Sequence, residues 1–393
     1  MAFFRNNAVN LLNLHYGLHC VAVYGGAVFF SIYLLKAGVS IPGVLVSLTL
    51  ILLGRLVVRP FVLGLAVRWG LRAMVIAGTL LTASQYPLLA EVHGVGPVLA
   101  GVIVLAAIGE TVYWTCYHAY FAALGDNDLR GHQVSAREAI GTVVGIVSPL
   151  LTGSLLVAFG PRVAFGTTAA VAALAALPLL RAPHVAVARL VPGAYRAAMP
   201  GVLLFMADGW VAVGFWFVWQ IALFLSLGES FLAYGGALAS AALVGAIGGL
   251  ILGRHIDAGY GSRAVWYSVG VMAAIVVLRA IATGNPALAV LANALGALGG
   301  CLYAPTLMAA VYTMAKRSPC PLRFHIATEG GWDACGASGL LAAALMIELG
   351  LPLSYGILLS LAGLAAVGVM LRRYYADGSA RPAVSRAKQE AAD

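Results

Sequence analysis

Residues 324–344, FHIATEGGWDACGASGLLAAA, are the stretch from which the fold of this chain can be argued. His325, Glu329 and Asp333 recur every four residues, so on a helix their side chains share one face. Small residues fill most other positions, and small residues let helices approach closely in a bilayer. An ionised carboxylate is costly there, so we expect it to face a partner, a cavity or a proton route. The alternative is that Glu329 and Asp333 simply tie neighbouring helices together.

The composition of the whole chain supports a membrane location for this helix. Hydrophobic residues make up 62% of the 393 residues and charged residues 9%, against about 25% charged residues in a soluble domain. We therefore expect a multi-pass integral membrane protein without a large soluble domain or a cleaved signal. The five cysteines are scattered, which predicts neither a disulfide framework nor a metal site, and no cofactor is expected.

Apolar stretches near the ~20 residues that a bilayer requires recur along the chain. They predict an all-α integral membrane protein with twelve transmembrane helices. Arg279, near the outer end of the ninth helix, is expected to extend its guanidinium toward the membrane surface. The predicted spans are 8–35, 40–66, 71–90, 95–123, 134–159, 162–180, 198–227, 230–253, 262–283, 286–315, 323–348 and 351–371.

Matching residues in the two halves of the chain indicate an internal duplication. Glu138 and Glu329 are each followed seven residues later by Gly, and they lie 329 − 138 = 191 residues apart. Duplicated bundles occur in transporter folds, so we expect two pseudo-symmetric six-helix bundles. Two further pairs repeat the offset at 189 and 190 residues, namely Gly64 with Gly253 and Tyr113 with Tyr303.

Lysine and arginine set the expected orientation. With the N-terminus inside, Lys36, Arg162 and Arg279 fall in or near the outer half, which leaves 23 − 3 = 20 basic residues toward the inner side. This is the positive-inside distribution, so the charge reports topology rather than nucleic-acid binding. We expect a monomer in the inner membrane with both termini cytoplasmic. The predicted domains are 1–180, a cytoplasmic linker at 181–197, 198–373, and a disordered cytoplasmic tail at 374–393.

Two loops carry a family resemblance. GLAVRWGLR, from Gly64 to Arg72, and GRHIDAGYGSR, from Gly253 to Arg263, resemble the marker loop Gly-x-x-x-Asp-Arg-x-Gly-Arg-Arg of the major facilitator superfamily. The first copy lacks the Asp, which the second keeps as Asp257. The resemblance covers nearly the whole chain, and it implies a cavity lined by the first, fourth, seventh and tenth helices. A loose match to the family's antiporter signature comes from Gly141, Gly145, Pro149 and Gly153.

Candidate functional residues form a central and an inner set. At about 1.5 Å per helical residue, Glu110, Asp208 and Asp333 lie near the middle of their spans. His19 is the counterpart of Asp208, since 208 − 19 = 189. Burial favours a neutral carboxyl group, so a cavity acid can take up a proton and release it when the cavity opens. The predicted proton-coupling and substrate-cavity residues are Glu110, Asp208, Asp333, Glu329, His19, His325, Tyr113 and Tyr117. The predicted inner-gate residues are Asp257, Arg55, Arg59, Arg137, Glu138, Gly64 and Gly253.

Each candidate also has a plainer interpretation. A buried acid can be a fixed hydrogen-bonded group, and a membrane histidine is often a tie between helices. Arg55 and Arg59 share a face of the second span, where three roles are open. They can meet Glu138 or Glu329, hold an anionic substrate group, or extend toward the inner surface, which we favour for Arg59.

The residues and the resemblance together predict a secondary active transporter for a small organic solute, working by alternating access with proton coupling. Excess acid near the midplane favours export of a cationic or amphipathic compound. The alternatives are an organic-anion importer, with Arg55 or Arg59 as the counter-ion, and a facilitator. A transporter-like membrane sensor is the alternative of a different class. The chain has no HExxH, GxSxG or GxxxxGK[ST] motif, which argues against an enzyme.

The predicted topology can be tested with a reporter that is active only in the periplasm. A fusion after Asp393 should be silent, because the basic residues place the C-terminus inside. A fusion in the loop after Lys36 should be active and serves as the control. Activity of the Asp393 fusion would contradict the topology.

Overall fold

The computed structural model describes residues 6–125, 130–256 and 261–376, and the regular structure in these ranges is helical. Asn6, Ser40 and Asn285 each cap the helix that follows, since each side chain accepts a hydrogen bond from a backbone N–H three residues later. Asp257, the side chain of Glu138 and the surroundings of Gly253 lie outside what the structure describes.

Two long helical runs are each divided by a glycine. Ile41–Leu89 turns at Gly70, with φ 75° and ψ 164°, and Arg130–Leu174 turns at Gly160, with φ 78° and ψ 178°. Only glycine adopts such conformations without strain. The described residues contain 10 apolar helical stretches long enough to span a membrane. Dividing these two gives 10 + 2 = 12 helices, the predicted number.

We number the helices in chain order. They are α1 Asn7–Lys36, α2 41–69, α3 71–89, α4 Pro97–Leu124, α5 130–159, α6 161–180, α7 Ala194–Ser226, α8 Phe231–Ile256, α9 Gly261–Ala282, α10 Pro286–Arg317, α11 Pro321–Glu348 and α12 Leu353–Ala376. The last helix extends three residues into the predicted tail, where the Tyr375 hydroxyl donates to the carbonyl of Thr306 at 3.1 Å.

The placement of Gly64 in a loop was wrong. Gly64 lies inside α2, is exposed, and has no atom within 4 Å of the position that a Cβ would take. The chain turns instead at Gly70, where a Cβ would lie 2.9 Å from the carbonyl oxygen of Val185. The left-handed conformation and this close approach require glycine at position 70 and not at 64.

Corresponding helices of the two halves carry the same irregularity. α1 contains a π-helical segment at Ala22–Ala27 and α7 contains one at Val213–Val218, which begin 213 − 22 = 191 residues apart. Such segments disturb the regular helical hydrogen bonds and are frequent at functional sites. The hydroxyl of Tyr86 donates to the carbonyl of Ala22 at 2.6 Å. In the second half, Nη1 of Arg279 donates to the carbonyl of Phe215 at 2.6 Å.

Arg279 is therefore not at the membrane surface, and that expectation was wrong. Its side chain is buried, and its guanidinium carbon lies 4.0 Å from the ring centroid of Phe215 and 4.9 Å from that of Trp219. The carbonyl of Phe215 in the π-helical segment of α7 and the two aromatic faces hold the guanidinium inside the bundle.

The two halves meet closely where α5 crosses α8. A Cβ at Gly153 would lie 2.7 Å from the carbonyl oxygen of Phe231, and a Cβ at Gly235 would clash with the carbonyl oxygen of Pro149. Small residues thus let the backbones of the two halves touch. Lys36 also pairs with Glu229 at 2.8 Å, at the end of the bundle where α1 finishes, which we call the far end.

Residues 181–193 join both halves at the opposite, near end. The backbone N–H of Leu71 donates to the carbonyl of Val185 at 2.9 Å. The Tyr120 hydroxyl donates to the carbonyl of Pro183. From the second half, Nη2 of Arg323 donates to the carbonyls of Ala188 and Arg189 at 3.0 and 2.7 Å. The predicted linker is therefore fixed to the bundle by these bonds.

The crossing of α5 and α8 predicts different effects for two adjacent glycines. Gly235→Ala should destabilise the protein by about 1–3 kcal/mol, because the new methyl group meets a backbone carbonyl that cannot move aside. Gly236→Ala is the matched control, since no atom lies within 4 Å of its Cβ position. Thermal unfolding of the purified variants measures the difference. Equal melting temperatures would contradict this account of the crossing.

Candidate functional site

Five charged side chains from three helices form one cluster in the middle of the bundle. Arg55 and Arg59 lie one turn apart on α2, and Glu329 and Asp333 lie one turn apart on α11. Glu110 joins them from α4. Because α2 and α4 belong to the first half and α11 to the second, the cluster is shared between the halves. We call these five residues the ion-pair cluster.

Arg59 holds the two acids of α11. Its Nε donates to Oδ2 of Asp333 at 2.7 Å, and Nη2 also donates to this oxygen. Its Nη1 donates to Oε2 of Glu329 at 2.8 Å and to the hydroxyl of Thr115 at 3.2 Å. Arg59 is 3% exposed and Asp333 is 0% exposed. The expectation that Arg59 extends to the inner surface was wrong, because buried carboxylates neutralise its charge inside the bundle.

Arg55 connects the other two members. Its Nη1 donates to Oε2 of Glu110 at 3.1 Å. Its Nε lies 3.0 Å from Oδ1 of Asp333, an ion pair without hydrogen-bond geometry. The side chain of Glu110 is 26% exposed, against 12% for Arg55 and Glu329 and less for the others. Glu110 is thus the most accessible acid of the cluster.

The cluster contains one more acid than base. With every member ionised, two guanidinium groups and three carboxylates give a charge of 2 − 3 = −1. An uncompensated charge is costly in a low-dielectric interior. Taking up a single proton on one carboxylate would remove this imbalance. Each arginine contacts two acids, so a proton on any one carboxylate would still leave both arginines with an ionised partner.

Asp208 lies apart from the cluster and has neutral partners. Its Oδ1 accepts from the Tyr303 hydroxyl at 2.7 Å, and its Oδ2 accepts from the indole N–H of Trp332 at 3.1 Å. No described residue forms an ion pair with it. The guanidinium carbon of Arg55 lies 5.8 Å from the Trp332 ring centroid, so this tryptophan stands between Asp208 and the cluster.

The predicted histidine and tyrosine residues come together inside the first half. Nε2 of His15 lies 3.0 Å from the Tyr113 hydroxyl, and the rings of His19 and Tyr113 stack at 3.7 Å. His19, Tyr113 and Tyr117 are 1%, 0% and 0% exposed. The structure therefore places them in the core between α1 and α4 instead of on a cavity wall, because their rings stack on one another. Tyr117 and Tyr113 stack at 5.5 Å.

The other predicted residues lie in different places. His325 of α11 is buried, and its ring stacks with that of His118 of α4 at 5.8 Å. The guanidinium carbon of Arg137 lies 5.2 Å from the ring centroid of Tyr16. Arg55 and Arg59, predicted at an inner gate, belong to the central cluster. Their location differs from the prediction because both side chains contact acids of α11 in the second half.

Three residues of the site escaped the sequence analysis. Thr115 hydrogen-bonds both Arg59 and Glu329, the latter at 3.3 Å. Trp332 immediately precedes Asp333, but it lies about 100° around the helix from the face that the spacing by four defines. His15 lies one helical turn before His19, and this spacing could have indicated that the two histidines share one face of α1.

The helices and the shared cluster define a multi-pass helical membrane protein made of two bundles. The family model of the Major Facilitator Superfamily matches residues 14–217, which are 217 − 14 + 1 = 204 of the 393 residues. The chain therefore belongs to the Major Facilitator Superfamily and is a membrane transporter. Membership implies a small-molecule substrate and a lipid environment. A comparison with curated proteins finds no match.

The burial of Arg59 predicts a large loss of stability when its charge is removed. Arg59→Met should lower the free energy of unfolding by about 3–5 kcal/mol, because it leaves two buried carboxylates with too little positive charge. Equilibrium unfolding of purified protein measures the loss.

The control for Arg59→Met is Arg162→Gln. Arg162 makes two hydrogen bonds to Glu91, at 2.7 and 2.9 Å, and these bonds lower the pKa of the Glu91 carboxyl in the loop after α3. The side chain of Arg162 is 78% exposed, so its removal should leave unfolding nearly unchanged. Similar losses in both variants would mean that the buried cluster is no more important than a surface pair.

Proposed function

We propose that this protein is a proton-coupled secondary transporter that exports a cationic or amphipathic organic compound across the inner membrane by alternating access. The observation that supports this most directly is the ion-pair cluster. It joins the two halves and holds three carboxylates against two guanidinium groups. One group of residues thus combines a proton site with the contact between the moving parts.

The coupling follows from where the contacts cross. Arg59 binds Asp333 and Glu329 from the opposite half, and Arg55 also reaches Asp333. When the halves rock about the central site, these contacts change. A protonated carboxyl attracts a guanidinium less than a carboxylate does, so proton uptake favours the state in which the contact is broken. A ligand shifts a conformational equilibrium only through such a difference in affinity between the two states.

The acids of the cluster have different roles in this proposal. Glu110 exchanges protons with the solvent, because it is the most exposed acid and only Arg55 holds it in an ion pair among the described residues. Asp333 is fully buried and pairs with both arginines. Protonation of Glu110 therefore alters the contact between Arg55 and Asp333. Glu329 and Thr115 keep Arg59 in position.

The arginines support a cationic substrate over an anionic one. Each guanidinium already pairs with carboxylates, so an organic anion would have to displace them. Asp208, in contrast, has only neutral hydrogen-bond donors among the described residues. In the proposed topology, the Lys36–Glu229 pair and the crossing of α5 and α8 close the outer side in this conformation.

Amide variants test the proposal in proteoliposomes with an imposed pH difference and a labelled organic cation, benzyltrimethylammonium. Glu110→Gln and Asp333→Asn should reduce gradient-driven accumulation by about tenfold or more, because an amide mimics the permanently protonated acid. Exchange of the cation down its own gradient should remain. Glu348→Gln, at the exposed end of α11, is the control and should transport normally.

The set of variants is completed by Asp208→Asn and Glu329→Gln. If all four amide variants still concentrate the cation, proton coupling through these carboxylates is wrong. The protein is then a facilitator or is coupled to another ion. A wild-type protein that neither accumulates nor exchanges any organic cation would count against the cationic substrate.

A further inference from the structure

We propose that Asp208, Tyr303, Trp332 and Phe217 form the subsite for the positively charged head group of the substrate, an organic ammonium ion. This subsite is distinct from the carboxylates that take up the proton. The inference rests on the proposed function, from which it takes a transported organic cation. It divides the acids at the middle of the bundle into two groups with different tasks.

The carboxylate of Asp208 is the acid of this region that lacks a positive partner. Glu110, Glu329 and Asp333 each pair with an arginine, at 2.8 to 3.1 Å for the contacts Arg55–Glu110, Arg59–Glu329 and Arg55–Asp333. Asp208 accepts only from a phenol and an indole, and within the described chain it forms no ion pair. A carboxylate oriented by neutral donors keeps its negative charge available for a ligand.

Each oxygen of Asp208 still has room for a further bond. A carboxylate offers about four acceptor positions, and the two oxygens use one each, for Tyr303 and for Trp332. Asp208, Trp332 and Phe217 are half-buried, whereas Tyr303 is buried. The two donors hold the carboxylate in place, and the residues around it other than Tyr303 are not fully buried.

Aromatic rings complete the subsite. The ring centroids of Trp332 and Phe217 lie 6.1 Å apart with an interplanar angle of 59°, so the two rings form a corner. A Cβ at Gly209 would clash with the carbonyl of Trp332, and this close approach of α7 to α11 brings Trp332 against Asp208. A carboxylate beside aromatic faces is the chemistry that recognises substituted ammonium ions.

Trp332 connects the head-group subsite to the ion-pair cluster. Its indole N–H donates to Asp208, and the guanidinium carbon of Arg55 lies 5.8 Å from its ring centroid. A cation at Asp208 would therefore place a second positive charge near the same ring. The field of this charge would disfavour a proton on the acids of the cluster, and it would therefore favour the exchange of substrate for proton.

Equilibrium binding to the purified full-length protein tests the inference without any gradient. The probe is benzyltrimethylammonium, and its uncharged carbon isostere, neopentylbenzene, is the matched control ligand. Wild-type protein should prefer the cation. Asp208→Asn should weaken cation binding about tenfold or more, which is about 1.4 kcal/mol, and leave binding of the isostere unchanged. Tyr303→Phe should weaken cation binding by a smaller factor, because it removes one orienting donor.

Two further variants separate the tasks of the acids. Asp333→Asn should keep the preference for the cation over the isostere while losing gradient-driven accumulation. Asp208→Glu, which keeps the charge, should keep the preference for the cation, and it provides the readout if Asp208→Asn does not fold. If the protein is a facilitator, Asp208→Asn should still weaken cation binding, but the wild-type protein should show no proton-driven accumulation. Failure of the proposed coupling is therefore distinguishable from failure of this inference.

Three results would overturn the inference. The first is a wild-type protein that does not prefer the cation over its isostere. The second is an Asp208→Asn variant that binds the cation normally, or that loses both ligands to the same extent, which indicates a structural role. The third is an Asp333→Asn variant that loses cation binding as strongly as Asp208→Asn, because the two groups of acids would then be one site.

Discussion

The contact between Arg59 and the two acids of α11 is the interaction on which the rest of this structure depends. Burying three charged groups is costly unless their charges compensate one another. Here the guanidinium of Arg59 hydrogen-bonds the carboxylates of both Asp333 and Glu329. Since Arg59 belongs to one half and the acids to the other, neither half can satisfy its charges alone. The electrostatic constraint therefore holds the two bundles together at the ion-pair cluster.

The same constraint supports the proposed proton coupling. Arg55 extends it to Glu110, so a change at the most exposed acid reaches Asp333 through one guanidinium. The imbalance of one carboxylate means that protonation relieves a cost instead of creating one. A fully compensated pair would be only a structural tie, whereas this cluster has one acid in excess.

The two halves use one plan with different chemistry. The first helix of each half carries a π-helical segment, and the two segments begin 191 residues apart. In each half a tyrosine binds a titratable residue of that helix, and the two tyrosines lie 190 residues apart. Tyr113 binds His15 in the first half, and Tyr303 binds Asp208 in the second. The histidine is sealed in the core, while the aspartate remains half-buried. The two corresponding tyrosines therefore bind titratable partners that differ in charge and in burial.

The sequence by itself determined the helical membrane fold, because apolar length, glycine content and the spacing of His325, Glu329 and Asp333 follow from local periodicity. It also singled out every acid of the ion-pair cluster, since carboxylates in apolar spans are conspicuous. Only the tertiary structure decided which residues pair. Arg59 and Arg279 looked able to reach the membrane surface, yet both are buried. Their partners lie 274 and 64 residues away along the chain, and periodicity along one helix carries no information about the helix that faces it.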